Sequence, residues 1–216
     1  MKNNKDDRRI AKRQAGKVVL IPCEGEVVER TYFRWLSKQF EARSLRIEIK
    51  TKKEIGGNSP RDILEYAKRA YKEFKYDQIF CVFDRDSHES YDSVIKEIEQ
   101  LRNNEEHPMP IYAIRSAPCF EYWFLSHFKY TSSPFSRTPS KSTADHCVKA
   151  LKKHIPDYDK KKELILKIFP DLFSRIETAI KNAKKIQTAG KKDGFDEPFT
   201  NVNEIIEYFR ETSRKT

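Results

Sequence analysis

The sequence predicts an α/β protein: a parallel four-stranded sheet flanked by helices, followed by a helical extension at the C-terminus. Four short apolar segments typical of buried strands alternate with longer segments whose apolar residues recur at helical spacing. Strands that alternate with helices favour a parallel sheet with right-handed crossover connections. Beyond residue 141 the periodicity is helical, which predicts the C-terminal extension.

The individual elements follow from apolar periodicity. Continuous apolar runs or strict alternation predict strands at residues 17–22, 45–51, 77–83 and 111–114. Apolar residues at helical spacing predict helices at residues 26–42, 60–74, 89–103, 119–128, 142–154, 159–168, 171–187 and 202–212. The helix at Pro60 has the clearest start, because Ser59 can cap it, proline suits the first helical position and Asp62 completes a capping box.

These elements divide the chain into three parts. Residues 1–16 are polar and basic, which predicts a disordered arm. Residues 17–128 contain all four predicted strands and form the α/β core. A polar loop rich in Ser and Pro marks the end of this unit, and residues 129–216 form a C-terminal helical extension that completes the core.

Charge is distributed unevenly along the chain. Residues 1–17 carry +5 and residues 149–192 carry +8, which leaves −3 for the remainder of a chain with a net charge of +10. Two basic zones that flank an acidic middle favour binding of nucleic acid, because a polyphosphate needs neutralising charge close to where it is held. The alternative is that the basic segments only form solvated surface.

Several classes of protein are excluded by composition. No apolar stretch approaches the ~20 residues of a membrane helix, and the polar N-terminus does not resemble a signal peptide. The cysteines form no CxxC pair, which favours reduced, buried thiols over a disulfide framework or a zinc site; they are Cys23, Cys81, Cys119 and Cys147. We therefore expect a cytoplasmic protein without a membrane partner. A homo-oligomer is compatible with the sequence.

Two acidic clusters follow predicted strands. Glu24 comes directly after the first strand, and Asp84 and Asp86 come directly after the third. In a parallel sheet the carboxyl ends of the strands lie at one edge, where ligands bind. Carboxylates that meet there repel one another unless a cation lies between them, and oxygen ligands suit Mg²⁺ or Mn²⁺. The pattern predicts a divalent metal site, with Gly25 permitting a tight turn that points Glu24 inward.

Each of these acids also has a structural interpretation. An aspartate after a strand often caps the next helix. Glu26 and Glu29 lie in the first turns of a predicted helix and favour interaction with the helix dipole over metal binding, with Glu26 the better candidate ligand of the two.

The segment after the fourth strand adds a further acid. Glu121 begins a helix at the same edge of the sheet, where it is either a fourth acidic ligand, which we favour, or a partner of Arg115 or Arg85. The two arginines can contact a phosphate or pair with the clustered acids. His127, among aromatic residues, is more typical of a buried core histidine than of a catalytic one.

Four segments resemble a known family. Residues 21–26 (IPCEGE) and 83–86 (FDRD) resemble the strand-Glu-Gly and strand-Asp-x-Asp motifs of the Toprim domain, found in topoisomerases, primases and nucleases of the overcoming-lysogenization-defect type. Residues 117–128 (APCFEYWFLSHF) resemble a Pro-x-Phe-Glu-x-Trp segment, and residues 198–203 (PFTNVN) a Pro-x-Thr-x-Val segment. In this combination the chain resembles the RloB family, which includes a component of the AbiL phage-defence system.

The resemblance implies a Toprim-like four-stranded sheet in which Glu24, Asp84 and Asp86 hold a divalent metal. It also implies an ATPase partner of the ABC or overcoming-lysogenization type and a role in defence against phage.

The leading functional hypothesis is a Mg²⁺-dependent nuclease that cleaves DNA or RNA, tRNA included, with Glu24, Asp84, Asp86 and Glu121 as its catalytic residues. Nucleic-acid-binding residues would be Lys181, Lys184 and Lys185 on a predicted helix, together with Arg85 and Arg115.

Two alternatives stay open. One is a non-catalytic subunit that binds nucleic acid or docks on the ATPase. The other is a haloacid-dehalogenase-like phosphatase, because residues 79–86 (IFCVFDRD) imitate the nucleophile strand of that family. No later lysine and pair of acids complete that family's set, which makes the phosphatase the weaker alternative.

Overall fold

The computed structural model of the protein describes residues 16–40, 45–85, 89–189 and 198–214. The strands are β1 (Lys17–Pro22), β2 (Leu45–Lys50), β3 (Gln78–Asp84), β4 (Ile111–Ala117) and β5 (Phe199–Thr200). The helices are α1 (Val28–Phe40), α2 (Lys52–Ile55), α3 (Pro60–Glu73), α4 (Tyr91–Arg102), α5 (Glu121–Ser126), α6 (Thr143–Leu151), α7 (Lys162–Ser174), α8 (Ile176–Thr188) and α9 (Asn203–Arg214).

The described strands form one sheet in the order β2-β1-β3-β4-β5. The first four are parallel, as the alternation of strands and helices predicts, and β5 pairs antiparallel with β4. The sheet is therefore five-stranded and mostly parallel. Our expectation of four strands is wrong, because it missed β5. With only two residues, β5 is too short to show the alternation that identifies a strand in sequence.

Helices cover both faces of the sheet because successive side chains of each strand point to opposite sides. In β1, Val19 and Ile21 belong to the larger hydrophobic cluster, whereas Leu20 belongs to the smaller one. The larger cluster contains side chains from α1 and α5 to α9, and the smaller one contains side chains from α3 and α4.

The helix boundaries show where local signals suffice. Ser59 caps α3, and its side chain and that of Asp62 form the predicted capping box.

The predicted break between residues 168 and 171 is wrong, because α7 continues through Pro170 to Ser174. Phe169 and Leu172 are both buried, and their packing holds the helix together across the missing backbone hydrogen bond.

Two further sequence expectations can be compared with the structure. All four cysteines are buried and free, in agreement with the expected reduced thiols. Among the described helices, none combines the length and the apolar character needed to cross a lipid bilayer.

Candidate functional site

Glu24 and Asp84 meet at the edge of the sheet where β1 and β3 end. The backbone N–H of Asp84 donates to the Glu24 carboxylate at 3.2 Å, although the two residues are sixty positions apart. Only four bonds separate the backbone nitrogen of an aspartate from its carboxylate oxygens, so the two carboxylates lie within about 8 Å of each other. Asp86, the third predicted ligand, lies outside the described residues.

The Asp84 carboxylate is in an unusual environment. Its Oδ1 atom is buried and has no hydrogen-bond partner among the residues that the structure describes. Burial raises the pKa of Asp84 well above its ordinary value, and the nearby acids Glu29, Glu24 and Glu121 raise it further. Asp84 does not cap the next helix along the chain, because α4 begins at Tyr91 with Ser90 in the capping position.

Glu29 is a member of this cluster that our sequence interpretation assigned to the helix dipole. Its residue is only 6% exposed, whereas Glu26, the acid we had preferred as a candidate ligand, is exposed. Burial, with a contribution from Glu121, raises the pKa of Glu29 to about 7. The signal was present in the sequence, because Glu29 shares the helical spacing of Tyr32 and Leu36 on the apolar face of α1.

Gly25 is required for a reason other than the predicted turn. A Cβ atom at this position would lie 1.8 Å from a carboxylate oxygen of Glu29. The missing side chain therefore makes room for the buried carboxylate. The glycine in the Glu24-Gly25-Glu26 motif thus allows a second acid to reach the site.

Glu121 is held by two residues from the loop between α6 and α7. Tyr158 donates its hydroxyl hydrogen to the Glu121 carboxylate at 2.9 Å, and Lys160 Nζ forms an ion pair with the same oxygen at 2.9 Å. Burial alone would raise the pKa of Glu121, but Lys160, together with hydrogen bonds from Cys119 and the backbone, outweighs burial, and the pKa is lowered. Glu121 is therefore braced as an anion, and no sequence motif indicated Tyr158 or Lys160 as its partners.

The predicted arginines lie at the same edge but have contacts of their own. Arg85 forms an ion pair with exposed Asp92 at 2.9 Å, and its guanidinium lies 4.2 Å from the centre of the Tyr91 ring. The Arg115 guanidinium lies 4.7 Å from the centre of the Phe199 ring.

The predicted lysines of α8 are exposed, far along the chain from the acids. Lys184 forms an ion pair with Glu207, and Lys185 Nζ lies 4.1 Å from the centre of the Tyr130 ring. Nucleic-acid binding by Lys181, Lys184 and Lys185 stays a prediction.

The acidic side chains at this edge can be compared with the ligands that a divalent metal requires. Within the described ranges, no three His, Cys, Asp or Glu side chains are grouped as a complete metal site. Mg²⁺, however, is usually bound by one or two carboxylates, several waters and substrate phosphates. Glu24 together with the unpartnered oxygen of Asp84 fits that requirement.

Comparison with known proteins gives one result. Neither a curated protein nor a solved structure matches the chain. A family model described as RloB-like protein matches residues 19–209, a range that includes every site residue discussed above. The chain therefore belongs to the RloB-like family.

Proposed function

We propose that this protein is a Mg²⁺-dependent nuclease whose active site is the acidic edge of the sheet. The observation that supports this most strongly is the buried Oδ1 of Asp84, which has no hydrogen-bond partner among the described residues, in a residue whose backbone N–H donates to the Glu24 carboxylate. A buried carboxylate oxygen in this position requires a proton or a cation. Mg²⁺ would satisfy it and would also bind phosphate oxygens.

Each side chain of the cluster has a distinct part in this proposal. Glu24 and Asp84, with Asp86 from outside the described residues, would hold the metal. When bound, the metal would supply an activated water and stabilise the leaving oxygen. Glu29, whose pKa is about 7 in the metal-free protein, would exchange a proton within the site. Glu121 positions Lys160, whose side chain is 62% exposed, as a cation beside the acids.

The wider biological context belongs to the same proposal. Cleavage of DNA or RNA in phage defence, together with an ABC-type or overcoming-lysogenization-type ATPase, rests on the Toprim and AbiL resemblance of the motifs. Co-purification of such an ATPase from the native host would support this part independently of the chemistry.

Asp84→Asn tests the proposal directly. With Mg²⁺ present, wild-type protein should cleave labelled single-stranded or duplex DNA or RNA, whereas the variant should lose at least ~100-fold activity. Mg²⁺ should also raise the melting temperature of the wild type and leave that of the variant unchanged, because only a bound ligand stabilises the fold. Asp92→Asn is the matched control, since Asp92 is an exposed aspartate near the same edge.

Retention of wild-type cleavage by Asp84→Asn would contradict the nuclease mechanism. Trapping of a phosphorylated Asp84 would instead identify a phosphatase of the haloacid-dehalogenase type.

A second candidate function is a non-catalytic subunit that binds nucleic acid or docks on the ATPase. It is favoured by the absence, within the described residues, of a complete three-ligand metal group. Nucleic-acid binding that is independent of Mg²⁺ and survives Asp84→Asn, without cleavage of any substrate, would select it.

A further inference from the structure

A groove with a volume of roughly 710 Å³ lies between α1 and α7, outside the acidic cluster. One end is lined by Glu26, two residues beyond Glu24 in the loop that leads from β1 to α1. From there the groove follows α1 as far as Lys38, with Lys162 and Leu166 of α7 on the opposite side. The groove therefore begins beside the proposed active site and extends away from it.

Basic side chains line the groove at regular intervals. Arg30, Arg34 and Lys38 are each four residues apart on α1, so successive charges are about 6 Å apart along the helix axis. Lys162 adds a cation from α7. Against these, Glu26 is the acid among the lining residues, at the end nearest the active site.

The basic residues are available to a ligand to different degrees. Arg34, Lys38 and Lys162 are exposed. Arg30 forms a long ion pair with Glu54 at 3.7 Å, and its buried Nε has no hydrogen-bond partner within the described part of the chain. The row of cations is thus only partly neutralised by the protein itself.

The apolar lining suits a ligand with flat, unstacked rings. Val27 and Leu166 are 42% and 40% exposed, which is high for large apolar residues. Trp35 also lines the groove and is partly buried, with its ring 5.2 Å from that of Phe169 and 5.4 Å from that of Phe173, measured between ring centres. A basic groove with apolar and aromatic surface is the usual arrangement for binding single strands, in which cations follow the phosphates and the bases contact rings.

We infer that the groove between α1 and α7 binds single-stranded nucleic acid and leads it to the acidic edge of the sheet. This inference deepens the proposed nuclease function and rests on it. The cations on α1 have the spacing to contact successive phosphates of an extended nucleic-acid strand. At the end of the groove lined by Glu26, the nucleic acid would reach the metal-binding acids. The α1 groove, rather than the exposed lysines of α8, then supplies most of the affinity.

Charge favours a polyanion over an apolar protein partner as the occupant. Four cations and one acid line the groove, and interface cores between proteins are instead depleted of charge. An acidic protein surface is the remaining alternative, and the experiment below separates it from nucleic acid.

The test is a binding titration in EDTA, where the proposed cleavage cannot occur. Labelled single-stranded DNA and RNA of equal length are titrated with the full chain at several salt concentrations. For Arg34→Glu/Lys38→Glu we expect roughly tenfold weaker binding. The negative slope of log affinity against log salt should become shallower by about 1.4, because two phosphate contacts are lost. If charge reversal impairs folding, Arg34→Gln/Lys38→Gln serves in its place, and Arg34→Lys/Lys38→Arg should retain affinity.

A matched variant controls for net charge: Arg69→Glu/Lys72→Glu makes the same change at exposed positions of α3 and should lose much less affinity than the groove variant. Lys181→Glu/Lys185→Glu tests the competing prediction that the exposed lysines of α8 bind the nucleic acid. The inference requires that this variant also lose less affinity than the groove variant. The inference is overturned if the groove variant binds as tightly as the α3 control, if the α8 variant loses more, or if a duplex binds as tightly as a single strand.

The same samples separate this inference from the proposed function. Wild-type protein that binds a single strand through the groove but cleaves nothing in Mg²⁺ would contradict the nuclease proposal alone. Protein that cleaves in Mg²⁺ while the groove variant binds normally would contradict the groove alone.

Discussion

At the scale of single residues, Glu29 and Gly25 explain each other. A glutamate on the apolar face of a helix is unusual, and this one is tolerated because Gly25 leaves space for its carboxylate. The cost of burial appears in its raised pKa. The Glu24-Gly25-Glu26 motif and Glu29 therefore act as one structural unit.

Glu29 should make folding stability depend on pH. Its pKa is about 7 in the folded protein and 4.5 in the absence of burial, so the folded state binds more protons between these values. The contribution of Glu29 to stability therefore falls as pH rises from 4.5 to 7, by up to about 3 kcal/mol. Glu29→Gln, which stays neutral, should lose less stability over this range. Urea unfolding of both proteins at pH 5 and pH 8, in EDTA, measures the difference.

Comparison with the wild type is essential in this measurement. His127 acts in the opposite direction, because burial lowers its pKa to about 4 and the folded state then binds fewer protons than the unfolded one. The variant leaves His127 in place, so the change in pH dependence reports Glu29 together with its effect on the pKa of Asp84. Equal pH dependence in the two proteins would mean that Glu29 is ionised in the fold.

At the scale of elements, the side chain of Asn201 continues the pairing of β5 with β4. Asn201, directly after β5, accepts from the backbone N–H of Arg115 at 2.7 Å and donates to the carbonyl of Ala113 at 2.9 Å. Its own backbone N–H donates to the carbonyl of Arg115 at 3.2 Å. The segment that resembles the family's Pro-x-Thr-x-Val motif thus closes the edge of the sheet and starts α9.

Asn201→Ala should destabilise the fold by about 2 kcal/mol, because it leaves two partly buried backbone groups of β4 unpaired. Asn104→Ala is the control, since Asn104 is an exposed loop asparagine that also accepts backbone hydrogen bonds. Its cost should stay below about 1 kcal/mol. Urea midpoints give both values, and equal losses would show that the β4 contacts of Asn201 are replaced by water.

At the scale of the whole molecule, the C-terminal helices share the main core with the strands. Phe169 of α7 is fully buried, and its ring contacts those of Tyr32, Trp35 and Phe124. The Trp123 indole N–H also donates to the Tyr32 hydroxyl at 2.8 Å in the same region. The helices that line the proposed groove are therefore fixed by the core itself.

Phe169→Ala should destabilise the entire protein by about 3–5 kcal/mol, because it leaves a large cavity between α1, α5 and α7. Phe74→Ala is the matched control, since that ring is 47% exposed, and its cost should be below about 1 kcal/mol. Far-UV and near-UV circular dichroism should follow one shifted transition. Separate transitions would indicate that the C-terminal helices unfold independently of the sheet.

Much of this architecture is readable from sequence because its causes are local. Alternation and apolar runs locate the four parallel strands, and the capping residues at Ser59 and Asp62 locate the start of α3. Since parallel strands end at one edge, the meeting of Glu24 and Asp84 could also be predicted.

The remaining features depend on which distant segments pack together. The two residues of β5 become a strand only beside β4, and α7 passes Pro170 only because neighbouring side chains are buried. Glu121 obtains Lys160 as its partner from a loop that carries no motif. The spacing of apolar residues within one segment indicates only which of its faces is buried and which is exposed to solvent. Which charges meet, and which pKa values move, is decided by burial and distances that exist only in the folded chain.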